Sequence, residues 1–318
     1  MDALPLPLAS FEFCFQTETP NGLPAYSGSA WRGALGWSLK RTVCVIRHTS
    51  CPDCLLYRSC VYPYLFETPP PPDSDKMRKY TAAPHPFVLR IEPGQHGEDY
   101  RLGLILIGRA VQQFPYFVHA LREAGRQGIG SQRRPFELVR VLQAHDPQGS
   151  DWSTVYQPEQ PLAQIETAIP PVPPIPEWLT VEILTPLRIK RHNHLVTPAR
   201  FRFADLYVTL LRRISLLRHF HTDHPLEADF AGLTQRAADV QHHEPRLHWY
   251  DWTRYSSRQE TTLDMGGILG SFTLQGRDIT EFWPSLWLGQ FIHAGKGVTL
   301  GLGRYRVKPA SLPDQTAA

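Results

Sequence analysis

HAGKGVTLGLGRYRV, residues 293–307, places four glycines (Gly295, Gly297, Gly301 and Gly303) with Lys296 and Arg304 between an apolar helical run and a short strand-like tail. Glycine reaches positive φ and has no Cβ to hold a polyanion off the backbone, so such a loop can aim N–H groups at phosphates while cations strengthen the contact. No G-K-[ST] follows the glycines, which excludes a P-loop. A helix precedes them where a dinucleotide site needs a strand, so a nucleotide cofactor is not expected. The alternative is a plain tight turn, and the surroundings of the loop favour the phosphate reading.

Working back from the loop, 279–292 reads as a helix and 266–276 and 246–255 as a strand pair. Residues 203–220 form the clearest helix, with Leu206, Tyr207, Leu210, Leu211, Ile214 and Leu217 on one face, and 178–190 is a strand. A helical stretch near 226–241 reads as an insertion. The order is β-α-β-β-α-β. Upstream, 157–176 carries seven prolines and reads as a stiff connection. The first half repeats the order: a strand at 5–17 with Phe11, Phe13 and Phe15 on one face, a helix with Trp31, Leu35 and Leu39, strands at 84–92 and 99–108, a helix through Phe114, Phe117 and Leu121, and a strand at 136–144. The expected class is α+β, two tandem ferredoxin-like (RRM-like, βαββαβ) domains at 1–157 and 177–318 joined by a linker at 158–176, with a cysteine-rich insertion at about 44–84.

A chain of 318 residues that is 42% apolar and 20% charged fits two soluble domains. Net charge is only +3, but between Thr185 and His221 eight Lys or Arg face one acid, Asp205. A local field of that kind attracts polyanions. The start MDALPLPLASFEF lacks the basic and apolar blocks of a signal peptide, and no run of about 18 apolar residues occurs, so a cytoplasmic protein with no membrane partner is expected.

Four of the five cysteines, Cys44, Cys51, Cys54 and Cys60, follow the spacing C-x6-C-x2-C-x5-C within 17 residues. That grouping reads as one metal centre, with structural zinc the first expectation and a [4Fe-4S] cluster the alternative, since the spacing also resembles the cluster loop of certain DNA glycosylases. Four thiolates leave no open position, so no catalytic metal is expected there. Cys14, on the first strand, reads as a buried spare.

WYDWTRYSSRQ (249–259), MGGILGSFTL (265–274) and HAGKGVTLGLGRY (293–305) resemble the C-terminal half of the CRISPR precursor-RNA processing endoribonucleases, the sixth Cas family of the RAMP superfamily. SGSAWRGALG (27–36) and TPLRIKRHNHLV (185–196) agree more loosely. The resemblance implies an enzyme that binds the repeat of a CRISPR transcript and cuts it without a catalytic metal, through the 2′-hydroxyl before the scissile bond, leaving a 2′,3′-cyclic phosphate and a 5′-hydroxyl. The different-class alternative is a non-catalytic RAMP subunit that binds crRNA in an effector complex.

Such enzymes draw acid–base residues from the first helix or the turn after it, and here that region offers Tyr26, Lys40, the cation Arg41 and, past the helix, His48. His192 and His194, on one face if RIKRHNHLV is extended, are further catalytic candidates. RNA contacts are expected from Arg188, Lys190, Arg191, Arg254, Arg258, His293, Gly295, Lys296, Gly297, Gly301, Gly303 and Arg304. Aromatics alternating with arginine, as around Trp249 to Arg258, can stack bases and pair phosphates.

Overall fold

The computed structural model describes residues 5–18, 22–71, 76, 83–95, 97–146, 149–256 and 261–311. They form two units, one of residues 5–170 with 216–225, the other of 171–215 with the chain from 226 on.

The first unit is built on β1 (Leu8–Gln16), α1 (Gly28–Val43), α2 (Val61–Phe66), β2 (Phe87–Ile91), β3 (Asp99–Ile107), α3 (Phe114–Gln127), β4 (Glu137–Ala144) and β5 (Trp152–Tyr156). Its antiparallel sheet has the order β2-β3-β1-β4-β5. The period-two alternation puts Phe11, Phe13 and Phe15 on the helix-covered side, where they pack with Trp31, Leu35 and Leu39 of α1 and Phe114, Phe117 and Leu121 of α3 in one core. Burying such a side chain contributes about 2 kcal/mol each. Lys40 and Arg41 close the last turn of α1, where cations suit the carbonyl end of the helix dipole.

Two elements are additional to those read from the sequence. The strand β5 pairs β4 at the sheet edge after a turn in which the Asp146 carboxylate accepts the Ser150 and Asp151 N–H groups at 2.9 and 3.0 Å. Five residues carry too short an alternation to announce a strand. The helix α2 tolerates Pro63 in its first turn, where no N–H partner is lost, and seats Leu65 and Phe66 in the core.

The second unit contains β6 (Trp178–Leu187), a two-residue hairpin β7 (Lys190–Arg191) and β8 (His194–Leu195), α4 (Phe203–His221) up to Ser215, α5 (Phe230–Asp239), β9 (His243–Tyr250), the paired strands β10 (Thr253–Ser256) and β11 (Thr261–Asp264), β12 (Gly267–Gln275), α6 (Trp283–Ile292) and β13 (Tyr305–Pro309). Its main sheet has the order β13-β6-β12-β9. In both units the first and third strands of the repeat are central and the fourth pairs the first. That is the ferredoxin-like order, so the chain is α+β with two ferredoxin-like units in tandem.

The strand expected over 246–255 is instead interrupted. β9 runs out of partner at Gly267, which pairs Tyr250, and the chain then enters the β10–β11 arm, with Met265 N–H donating to the Trp252 carbonyl at 2.8 Å. Residues 157–176 contain no helix or named strand; Ala168 alone bridges to Leu8. Among the described residues no helix is long and apolar enough to cross a membrane.

Candidate nucleic-acid interface

The stretches that carried the resemblance in the second half meet at one end of the second sheet. Ile268 of MGGILG pairs Leu187 on one side and Trp249 on the other, and the Lys296 N–H donates to the Arg188 carbonyl at 2.9 Å. Thr185, buried in the strand before Arg188, donates its hydroxyl to the Gly301 carbonyl at 2.8 Å and accepts from the Arg304 N–H at 2.9 Å. The glycine loop is thus clasped to the end of β6. From this corner the β7–β8 hairpin projects, with Lys190, His192 and His194 exposed.

The clasp changes the meaning of the glycines. All four lie at φ between +70° and +83°. A Cβ on Gly303 would stand 1.7 Å from the Ala294 carbonyl oxygen, and one on Gly295 would stand 2.5 Å from that of Arg188. The N–H groups of Ala294, Lys296, Leu300, Gly301, Leu302 and Gly303 donate to carbonyls of the loop itself or of Pro186 and Arg188. These six backbone donors hold the loop and are not offered to a phosphate, Gly301 and Gly303 among them; the N–H groups of Gly295 and Gly297 are not in that set, and the Lys296 side chain is exposed at the surface. His293 is likewise fully buried, at φ 59°, with Nδ1 donating to the Leu302 carbonyl at 3.2 Å. It braces α6 against the loop and does not present itself to a phosphate.

Burial also sorts the cations between Thr185 and His221. Arg191 donates from Nη1 to both Asp205 carboxylate oxygens at 3.0 and 3.1 Å and from Nη2 to the Arg200 carbonyl at 3.1 Å, which fixes the start of α4. The Arg188 guanidinium is turned onto the Gly266 carbonyl, and its pKa is lowered by desolvation. Arg213 is buried with Nε on the Ile292 carbonyl at 2.9 Å, and burial lowers its pKa to about 10. Arg218 donates to the His224 carbonyl at 2.9 Å. Lys190, Arg200, Arg202 and Arg212 are the exposed members of the set. Glu182, for its part, takes Arg306 at 2.9 Å and Lys308 at 2.8 Å, so these β13 cations are largely neutralised.

His192 and His194 do not share a strand face. His192 and Asn193 both have positive φ, 49° and 68°, and form the two-residue turn of the hairpin, while His194 starts β8 opposite Arg191. Arg254 lies on β10 opposite Leu263, and Arg258 falls outside the described residues.

In the first unit Tyr26 is half-buried on the turn that leads into α1, next to Ser27, whose hydroxyl bonds the Tyr100 hydroxyl at 2.6 Å. His48 is exposed in the cysteine segment. Lys40 lies with its ammonium 5.3 Å from the Tyr62 ring centre and lines the same small cavity, about 20 Å³, as Cys44, Cys51, Cys54 and Cys60. Burial works against its charge, but Cys51, Tyr62 and Cys44 outweigh that and raise its pKa. A lysine held protonated in this way can offset negative charge and is poorly placed to accept a proton at neutral pH. One feature escaped the sequence reading: Trp37 is 50% exposed with the Arg41 guanidinium 4.5 Å from its ring, and Arg58 lies 5.6 Å from that of Tyr57. The i, i+4 spacing of Trp37 and Arg41 on the outer side of α1 was the available signal.

Residues 6–168 match a family model described as the AF_1859 N-terminal domain, and residues 181–305 match that of the CRISPR-associated endoribonuclease Cas6. Residues 181–305, the greater part of the second unit, thus form a Cas6-type endoribonuclease domain. That domain is the one of CRISPR-associated RNA endonucleases. The Cas6 match spans β6 to the start of β13 and so contains the clasp. An uncharacterized protein of Archaeoglobus fulgidus is 23% identical over 295 residues, covering 90% of this chain and 93% of its own. Among solved structures, a Cas6 product complex has a TM-score of 0.58 at 18% identity over 95% of this chain and 100% of that one. A Thermus thermophilus Cas6 has 0.53 at 15% identity over 95% and 99%. A partial Cas6-RT-Cas1–Cas2 complex has 0.56 at 14% identity over 96% of this chain and 46% of that one. At these identities the likeness to the solved structures is one of fold.

Proposed function

We propose that this chain is a Cas6 endoribonuclease that binds the repeat of a precursor CRISPR transcript and cuts it once, by attack of a 2′-hydroxyl on the adjacent phosphodiester, without a catalytic metal. The 2′-oxygen bonds to phosphorus as its proton leaves, the bond to the 5′-oxygen breaks as that oxygen gains a proton, and the products carry a 2′,3′-cyclic phosphate and a 5′-hydroxyl. A base, an acid and a cation beside the phosphorane are all that the step needs. His48, His192 and His194 supply the base and acid candidates, because an imidazole can both accept and donate a proton. Lys40 suits the charge-offsetting role, and Tyr26 suits orientation of the hydroxyl.

The observation that carries the reading is the Cas6 match over the clasped corner, where Lys190, His192, His194 and Lys296 stand exposed around the end of β6. One observation favours a second reading. Residues 28–43 of α1 contain no histidine, which suits a member that binds crRNA as a subunit and does not cut. Incubation of the purified protein with its cognate repeat RNA in EDTA separates the two. A single defined cut supports the nuclease; tight binding with no product supports the subunit. The Cas6-RT-Cas1–Cas2 neighbour makes other CRISPR proteins a reasonable class of partner in either case.

A further inference from the structure

The segment from Cys44 to Cys60 is built unlike the rest of the first unit. It contains turns and no named helix or strand, and none of its side chains is buried. Two of its aliphatic residues face outward, Val45 at 77% exposure and Leu55 at 95%. Hydrophobic burial cannot hold seventeen residues arranged in this way, since ordering each one costs about 1–2 kcal/mol of backbone entropy.

What the segment turns inward is its thiols. Cys44, Cys51, Cys54 and Cys60 all line one small cavity with Ile46, Tyr57 and Tyr62. Short turns set their directions: the Cys54 N–H donates to the Cys51 carbonyl at 3.1 Å, Tyr57 to Cys54 at 2.9 Å, and Cys60 to Leu56 at 2.8 Å. The outer two cysteines are helix caps. Cys44 ends α1, its N–H donating to the Lys40 carbonyl, and Cys60 precedes α2. Among the described residues no three Cys, His, Asp or Glu stand close enough to hold an ion as they are. Closure would therefore accompany loading, as in small metal-folded modules.

We propose that Cys44, Cys51, Cys54 and Cys60 ligate one tetrathiolate metal centre that fastens the end of α1 to the start of α2 and orders the segment between them. The ligand set admits a zinc ion or a [4Fe-4S] cluster, since soft thiolates serve both. Each thiol gives up its proton on ligation, so loading weakens in acid. With four protein ligands the centre has no open position, and its role is structural. It fixes Arg47, His48 and Arg58, which the segment carries on its outer side.

The test uses the full chain purified anaerobically, without added metal. Metal and acid-labile sulfide analysis should give one zinc per chain and no colour, or about four irons with sulfide and a brown colour. In the native protein the four thiols should resist alkylation, and all four should react after the metal is stripped. Stripping should also open 45–59 to limited proteolysis. Cys51→Ser removes a packed side chain as well as a ligand, so the alkylation and proteolysis of the wild-type chain before and after stripping carry the decision. Neither metal above a tenth of an equivalent, with all four thiols reacting at the rate of a free thiol, overturns the proposal. A loaded protein that binds repeat RNA and does not cut it leaves the centre standing and counts against the nuclease reading alone.

Discussion

Gly303→Ala tests whether the glycine loop is a clasp. An alanine at φ +70° carries the left-handed penalty of about 1–2 kcal/mol. Its Cβ would also start 1.7 Å from the Ala294 carbonyl oxygen, and real Cβ atoms keep 3.0 Å, so backbone must move by at least 1.3 Å. That movement disrupts the Ala294 N–H to Gly303 carbonyl bond at 2.9 Å and the Gly303 N–H to Pro186 carbonyl bond at 3.1 Å. At about 1 kcal/mol each, the substitution should cost roughly 3–4 kcal/mol in all. Gly297→Ala is the internal control. Its φ is +81°, but the nearest atom to a new Cβ is the end of the Leu302 side chain at 2.9 Å, which can turn away. That variant should cost about 1–2 kcal/mol. Urea unfolding with a probe in the second unit measures both. Equal costs for the two variants, or a Gly303→Ala protein as stable as wild type, would refute the clasp.

Lys296→Ala should leave stability unchanged and lower the slope of log affinity against log salt by roughly one phosphate contact; an unchanged slope rejects the contact. Alanine at the true acid–base residue among His48, His192 and His194 should slow single-turnover cleavage by roughly two to four orders of magnitude with affinity nearly intact, and normal cleavage by all three would move the search to Tyr26 and Lys40. Arg191→Ala strands the Asp205 carboxylate and should cost about 2 kcal/mol, below the range for fully buried pairs because the Arg191 side chain is 27% exposed. Glu182 has its pKa lowered, first by hydrogen bonds from Lys308 and Arg306. Its folded pKa lies below the unfolded one, so its contribution is present above the ordinary carboxylate range and fades as pH falls through the folded value. Glu182→Gln should therefore be slightly less stable than wild type at pH 7 and equal to it in strong acid, as thermal melts at the two pH values would register.

Elements whose pattern is long enough were legible. The alternation of Phe11, Phe13 and Phe15 and the helical spacing from Leu206 to Leu217 each bury the face that they announce. β5 and α2 are five and six residues long and carry no such period. The glycine loop was legible in part. Positive φ follows from residue type, and all four glycines adopt it, whereas the destinations of the N–H groups depend on Thr185, Pro186 and Arg188, more than a hundred residues earlier in the chain. The eight-to-one charge ratio misled for a related reason. A count ignores that Arg191 answers Asp205 and that Arg213 lies inside the core of its unit. The four cysteines needed only spacing to be noticed, but their convergence on one cavity is a fact of the fold.

Cleavage by the RNA's own 2′-hydroxyl is decided by one substrate pair. Cognate repeat RNA, and the same RNA carrying a single 2′-deoxy sugar before the mapped cut, would be incubated with excess protein in EDTA. The all-ribose RNA should be cut once, to a product that ends in a cyclic phosphate, and the deoxy RNA should bind equally tightly and remain uncut. Cleavage of the deoxy substrate, or a cut of the all-ribose RNA that appears only when a divalent metal is restored, would contradict it.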